Sequence, residues 1–416
     1  MQTDPDHVLN AVQLPPDAPT ALRLKLGKQA DASLRVAYVP GPGDVVGTFD
    51  HWRQGRHDPR VPVITYSGMF YSLTHALGAE ALVITASETP PFPLDSRVTF
   101  RHVARRRGMR GLRYHLSEAA YARTVARVLN DWQPDITVVG SDAPPGLFRH
   151  LHSSTILSAH NTFWPMGQRP GGIRARVSLA PRAYSLRHVS TAICTSAECA
   201  RQIVALGGDK PTFVQVPQVL SAEFPKVCVQ PPTLPRRITY VGRMEANKGI
   251  FDLLRVFESL SAEFVGLYLT FAGNGSDHQR LAEAVTRSSC ADQIGLSGRI
   301  DSRGIHALLE NTDLLVCPTR SSFNEGLAMV VVEAAIHGRP SVISSVVPAI
   351  DLFPNGSLAF PADDTAALEQ ALRDLLTHPE KVQRLSACVL DERQKCLDRS
   401  RSWGSQLYRA MLACRR

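Results

Sequence analysis

A short apolar run, Asp313-Leu314-Leu315-Val316-Cys317, ends at Pro318. It has the length and composition of a parallel strand buried on both faces. A polar loop follows, from Arg320 to Asn324, and then a second apolar run from Leu327 to Ile336. That run predicts a buried helix, stopped by His337-Gly338-Arg339-Pro340. Strand, loop and buried helix in direct succession belong in an open parallel sheet with helices on its faces. Ligands of such sheets bind at the carboxyl ends of the strands. The loop ends in Glu325-Gly326, read here as the helix start, and a second acid, Glu333, lies eight residues on. Eight residues turn a helix by about 800° and advance it by about 12 Å, so Glu333 faces a neighbouring side further along. Unpaired amides at Gly326 and Leu327 would favour an anion, and Gly326 would let it approach closely. A carboxylate further along is placed to accept hydroxyl hydrogen bonds. Two acids at this spacing are common on helices, so a capping Glu325 with an incidental Glu333 is the plain alternative.

The preceding chain repeats the alternation. Strands are predicted at residues 34–40, 81–85, 134–140, 155–161, 189–195 and 213–217, with helices at 67–77, 118–132 and 196–206. The turn after the first strand, Gly41-Pro42-Gly43-Asp44-Val45-Val46-Gly47, is only a G-x-G-x3-G, with no clean amphipathic helix expected behind it. His160 stands at the carboxyl end of one predicted strand, and Asn161 to Trp164 and residues 166–173 would shape the side next to it. Ser141-Asp142 ends another strand and is a weaker candidate for the same side. Prolines at 231, 232 and 235 mark 221–236 as a linker. Beyond it, a strand ends in Gly242-Arg243, and Lys248-Gly249 opens a helix over 250–260. The next strand runs into Gly273-Asn274-Gly275, and a later turn holds Gly298-Arg299-Ile300. The tail, 403–414, is apolar at helical spacing.

Composition narrows the class. A chain of 416 residues can bury two or three cores. No run has the length and purity of a membrane span, and residues 1–33 lack a signal pattern and are expected to be loose. Eight scattered cysteines without a C-x-x-C pair predict reduced thiols, no metal site and a cytoplasmic setting. The net charge of +8 is uneven: residues 1–225 hold 24 Lys+Arg against 17 Asp+Glu. The excess concentrates in Arg97, Arg101, Arg105, Arg106, Arg107, Arg110 and Arg113. Such a cluster faces an anionic acceptor, an anionic membrane leaflet on the inner face, or plain solvent. Nucleic acid is disfavoured, because no aromatic platform accompanies it.

From Val241 to about Leu376 the chain resembles the retaining glycosyltransferases of family 4 (glycosyl transferases group 1). The resemblance implies a GT-B fold: two doubly wound Rossmann-like α/β domains facing across a cleft, with a C-terminal helix crossing back to the first. Domains of 34–220 and 237–398 and a crossover helix within 399–416 are then expected. It implies transfer of a sugar from a UDP- or GDP-linked donor to a saccharide, lipid-linked or small-molecule hydroxyl, in polysaccharide, glycolipid or glycoside biosynthesis. It implies no cofactor and no metal, the leaving diphosphate itself taking the acceptor's proton. Without a metal, fixed cations must stabilise the diphosphate, and those fall on Arg243 and Lys248. Glu325 would orient the donor sugar, with His160 completing that site. The amides of Gly326, Leu327 and Ala328 would hold the diphosphate, and Glu333 the ribose. Gly242, Gly273 and Gly275 would keep the backbone low near the phosphate, Arg299 and Ile300 would border the base, and a loop with Gly41, Gly43 and Gly47 would close over the donor. The chain departs from the family at Ser344-Ser345, where a Gly-Gly pair is common, and at Leu327-Ala328-Met329. Two other classes stay open: a nicotinamide-dependent oxidoreductase built on Gly41-x-Gly43, and a non-catalytic nucleotide-sugar binder.

Overall fold

The computed structural model describes residues 11–41, 43–58, 61, 63–86, 97–106, 108–168, 170–219 and 234–414. The first half runs α1 (Ala18–Lys25), β1 (Arg35–Val39), α2 (Val45–Arg53), α3 (Tyr66–Ala76), β2 (Glu80–Thr85), β3 (Val98–His102) and α4 (Gly111–Trp132). It continues with β4 (Ile136–Gly140), β5 (Ser154–Ala159), α5 (Gly172–Leu186), β6 (Thr191–Cys194), α6 (Ala197–Gly207) and β7 (Thr212–Val214). These strands form one seven-stranded parallel sheet in the order β3-β2-β1-β4-β5-β6-β7. Every residue of β4 is buried, as a central parallel strand requires.

The second half opens with β8 (Arg237–Val241), α7 (Ile250–Glu263), β9 (Tyr268–Ala272), α8 (His278–Thr286), β10 (Ile294–Gly298) and α9 (Ser302–Glu310). Then come β11 (Leu314–Cys317), α10 (Met329–Ile336), β12 (Ser341–Ser344), β13 (Ser357–Phe360), α11 (Thr365–Thr377), α12 (Pro379–Glu392) and α13 (Trp403–Ala413). A six-stranded parallel sheet results, ordered β10-β9-β8-β11-β12-β13. In each sheet the strand order reverses beside the first strand, between β1 and β4 and between β8 and β11. Each reversal opens a crevice at the carboxyl ends. The loops there meet across the domains: the Thr162 hydroxyl donates to the Glu325 carbonyl at 3.1 Å, and the Asn324 amide to the Phe163 carbonyl at 3.1 Å.

Helix α13 returns to the first domain, where Trp403, Leu407, Tyr408 and Met411 join the core of Val36, Tyr38, Phe70 and Leu73. The N-terminal segment is not loose throughout. Pro19 sits in the first turn of α1, where its fixed φ favours a helix, and Leu22 is fully buried. The backbone amide of Gln13 donates to the Ser405 hydroxyl of α13 at 2.9 Å, so tail and leading segment brace each other. Residues 1–10 and most of the expected linker, 221–233, lie outside the described residues.

Three further expectations are corrected. A helix, α2, does follow the glycine turn directly, because the Asp44 carboxylate caps it by accepting from the Gly47 amide at 2.8 Å. Helix α10 starts at Met329 and not at Glu325, because Ala328 takes a left-handed conformation at φ +68° and breaks the helical path. The arginine cluster is not a plain loop: Arg101 lies in edge strand β3, Arg113 in α4, and Arg107 lies outside the described residues.

Candidate active site

Three loop segments of the second domain are zipped together under the cleft. The Gly242 amide donates to the Ala272 carbonyl at 3.0 Å, Gly273 to Gly298 at 2.7 Å, and Met244 to Asn274 at 3.0 Å. Gly273 has φ +137°, and a Cβ there would stand 1.9 Å from the Gly242 carbonyl oxygen. The requirement for glycine is therefore backbone against backbone. A cavity of about 400 Å3 opens over this seam, lined by Gly242, Arg243, Gly273, Asn274, Arg299 and Ile300 among others. The structure thus gathers five of the expected donor-side residues, Gly242, Arg243, Gly273, Arg299 and Ile300, around one hollow. Gly275 packs beneath it, its Cβ position 2.4 Å from the Met244 carbonyl oxygen.

Lys248 ends a short 3₁₀ turn (Ala246–Lys248). Its Nζ pairs with the Glu325 carboxylate, and both side chains are largely buried. The Thr319 hydroxyl donates to the same carboxylate oxygen at 3.3 Å. Lys248 Nζ also stands 3.8 Å from the Phe323 ring centre, and the Arg243 guanidinium 4.9 Å from it. One aromatic ring therefore holds both cations of the site, a cation–π arrangement. Arg243 is more than half exposed and pairs with Glu245 at 2.9 Å. The backbone amides of residues 326–330 find no acceptor among the described residues, so the α10 entrance offers donors to an anion.

Glu333 is buried in α10, and no cation among the described residues pairs with it. It does not line either cavity described here. Burial pushes its carboxyl up from 4.5 to about 7. A carboxyl raised in the folded state leaves stability unchanged below about pH 4.5 and lowers it progressively from there to about pH 7, levelling off above at on the order of 3 kcal/mol. The melting temperature of the ligand-free protein is expected to fall between about pH 4.5 and 7, and Glu333→Gln to flatten that fall. Equal slopes in the two proteins would place the dependence elsewhere.

The first domain faces this site with His160. Its ring stacks on Tyr66, 4.8 Å between centres, and burial pushes the imidazole down to about 4, so it is neutral near pH 7. Ser158 Oγ lies 3.4 Å from Nε2 and itself accepts from the Trp403 indole at 2.9 Å. A cavity of about 740 Å3 joins the domains here, lined by Gly41, Gly43, Asp142, His160 and Asn161 on one side and Glu325, Gly326, Leu327 and Ala328 on the other. Phe163 packs on the first-domain core, Trp164 is buried beside it, and neither lines the cavity, nor do the described residues among 166–173. Gly326 also packs backbone against backbone, because a Cβ there would stand 2.1 Å from the His160 carbonyl oxygen. Sequence reading missed Phe323, Thr319, Tyr66, Ser158 and Trp403. Only Phe323, an aromatic inside a polar loop, carried a visible signal.

The described arginines of the cluster do not line this cavity. Arg105 is committed to Glu118, with contacts of 3.0 and 2.5 Å, and stacks on Tyr121. No helix among the described residues is long and apolar enough to cross a membrane.

The sequence model described as glycosyl transferases group 1 matches residues 229–388, and that of a glycosyl transferase 4-like domain matches 63–218. The chain belongs to the group 1 glycosyl transferases. Among curated relatives, glycogen synthase of Mycobacterium tuberculosis is 28% identical over 217 residues, 51% of this chain and 52% of that protein. The chain thus spans about half the length of that relative. A 2-deoxystreptamine N-acetyl-D-glucosaminyltransferase of Streptomyces fradiae is 24% identical over 310 residues, 66% of this chain and 70% of that protein. In structure, this group 1 chain superposes on sucrose-phosphate synthase from Thermosynechococcus elongatus with a TM-score of 0.63 and 15% identity, over 90% of this chain and 98% of that one. The fold is GT-B, with both sheets Rossmann-like.

Proposed function

We propose that the chain moves a sugar from a nucleoside diphosphate donor to an acceptor hydroxyl with retention of anomeric configuration and without a metal or other cofactor. The observation that carries this reading is the Lys248–Glu325 pair on one domain facing His160 of the other across a shared cavity. A diphosphate leaving group gains negative charge as the sugar departs, and preorganised cations near it lower the barrier. Lys248 supplies a buried point charge and Arg243 an exposed forked donor, free to exchange Glu245 for phosphate oxygens. The open amides of residues 326–330 add neutral donors to the same anion. Glu325, fixed by Lys248 and Thr319, accepts from sugar hydroxyls, and neutral His160 bounds the sugar from the opposite domain. Glu333 accepts from the ribose hydroxyls, and Arg299 and Ile300 border the base. The leaving diphosphate takes the acceptor's proton, so no general base is assigned. The names of the relatives, a glycogen synthase and an N-acetyl-D-glucosaminyltransferase, support sugar transfer.

The exposed residues Leu112, Tyr114 and Leu116 stand beside Arg110 and Arg113 at the start of α4. They support peripheral contact with an anionic membrane on the cytoplasmic side. Co-sedimentation with phosphatidylserine vesicles should fall in Leu116→Asp, and an unchanged bound fraction would remove this part of the reading.

The main test is thermal unfolding with UDP, GDP, ADP and NAD in turn. A nucleotide at about 100 times its Kd adds roughly 2.7 kcal/mol. A shift with UDP or GDP, lost in Glu333→Ala, is expected. A shift with NAD alone would favour the oxidoreductase reading, and no shift with any nucleotide would overturn the donor site itself.

A further inference from the structure

The chain passes between the two domains along two segments that run side by side. Residues 215–219 leave the first sheet after β7, and residues 395–402 return to it ahead of α13. The Val216 amide donates to the Arg401 carbonyl at 2.9 Å and the Val219 amide to the Cys396 carbonyl at 3.1 Å. The Gln218 side-chain amide donates to the Lys395 carbonyl at 3.3 Å. At its first-domain end, each segment carries a side chain that supports His160. Trp403, the first residue of α13, donates from its indole to Ser158 Oγ at 2.9 Å, and that oxygen lies 3.4 Å from His160 Nε2. Gln215, the first residue past β7, donates from its side-chain amide to the Tyr66 hydroxyl at 3.1 Å. The Tyr66 ring is the one stacked on His160, and its centre is 5.5 Å from that of Trp403.

The backbone of His160 is already fixed. Its amide donates to Ser141 Oγ at 3.2 Å, and its carbonyl accepts from the Thr195 hydroxyl at 3.3 Å. What remains to be set is the ring. Two residues apart, Ser158 and His160 face the same side of β5, the side covered by α3 and α13. Ser158 and Trp403 are each 1% exposed. A core that needed only volume there would take apolar side chains at both places, because a buried hydroxyl and a buried indole N–H each require a partner. The indole can only donate, so it holds the Ser158 oxygen in place beside Nε2. We propose that Trp403, with Gln215 as its counterpart, is a positioning residue: through Ser158 and Tyr66 the two interdomain segments set the His160 ring, so the arrangement of the domains is felt at the cavity that His160 lines. The use of that ring in catalysis rests on the sugar-transfer reading above; its placement does not.

The test has a chemical arm and a kinetic arm. In the first, the whole protein is treated with diethyl pyrocarbonate at pH 7, which acylates neutral imidazole, and labelling of His160 is read by peptide mass spectrometry against the exposed His115 of α4. Trp403→Phe keeps an aromatic ring on Tyr66 and removes only the N–H donor, and Ser158→Ala removes the group between indole and imidazole. Both are expected to label His160 faster than the wild type. Leu407→Ala, which loosens the same buried helix and carries no group of the relay, should leave the labelling rate unchanged. In the second arm, Trp403→Phe should lower kcat by roughly 10-fold, less than the about 10²-fold cost of a 1 Å misplacement because the Tyr66 stack remains. The thermal shift with UDP or GDP should persist, and the same substitution in a His160→Ala background should lower kcat no further, as expected for residues acting as one unit. His160 labelling unchanged in Trp403→Phe and Ser158→Ala, labelling equally raised in Leu407→Ala, or an undiminished kinetic effect of Trp403→Phe without His160 would each overturn the proposal. Faster labelling in a protein that transfers no sugar would uphold the placement and reject the transfer reading alone.

Discussion

Lys248→Ala is expected to lower turnover by about 10²–10³-fold, the usual effect of removing one preorganised group that meets developing charge. The loss has two sources in this structure. The point charge facing the leaving diphosphate disappears, and Glu325 loses the partner that orients it, keeping only the Thr319 hydroxyl at 3.3 Å. Both partners are about one-tenth exposed, 12% and 11%. Removing one therefore strands a carboxylate and destabilises the second domain, by up to ~3–5 kcal/mol in a fully buried setting and less at the edge of a cleft. The two effects separate in the pair Lys248→Ala, Glu325→Gln. With the stranded charge gone, melting temperature should recover while turnover stays low. Arg243→Ala provides the cleaner comparison. This guanidinium is 54% exposed and packs on Phe323, so its removal barely affects folding while turnover should again fall by about 10²–10³-fold. A loss below tenfold, measured by donor-saturated initial rates, would sink the assignment of Arg243 to the diphosphate.

Gly326→Ala is expected to lower kcat/KM by about 10²-fold with little change in nucleotide affinity. A Cβ at 326 would stand 2.1 Å from the His160 carbonyl oxygen and 3.1 Å from Asn161 Oδ1. An ordinary carbon–oxygen contact is roughly 3.3 Å or more, so something must retreat by about 1 Å. The carbonyl follows directly on β5, whose backbone is locked between β4 and β6. The retreat therefore falls on the approach of the two domains. It breaks the hydrogen bonds from Thr162 to the Glu325 carbonyl and from Thr195 to the Gly326 carbonyl. A misplacement of about 1 Å between reacting groups costs about 10²-fold. Nucleotide contacts proposed here lie on the second domain alone, so a UDP or GDP thermal shift should survive. Full activity in Gly326→Ala would show that transfer does not use the observed juxtaposition of His160 and Glu325.

The sequence by itself determined the architecture and the cation set. Buried parallel strands are apolar along their whole length, and their loops begin where that run stops, so β8, β9 and β11 were legible locally. Arg243, Lys248 and Glu325 were singled out through the resemblance of the motifs that follow those strands, on loops that the sheets place at the crevice. Edge strand β3 and helix α5 escaped. β3 carries arginine and histidine on an edge with only partial burial, and α5 buries little beyond Ser185 and Leu186. The start of α10 was also illegible, because a left-handed alanine has no sequence signature. Tertiary structure alone decided that Gly273 and Gly326 serve backbone-to-backbone contact, and that Phe323 carries both cations. It alone set Trp403 behind His160 through Ser158, 245 residues away. Each of these depends on which loops the two sheets bring face to face, a long-range outcome of packing that no local periodicity encodes.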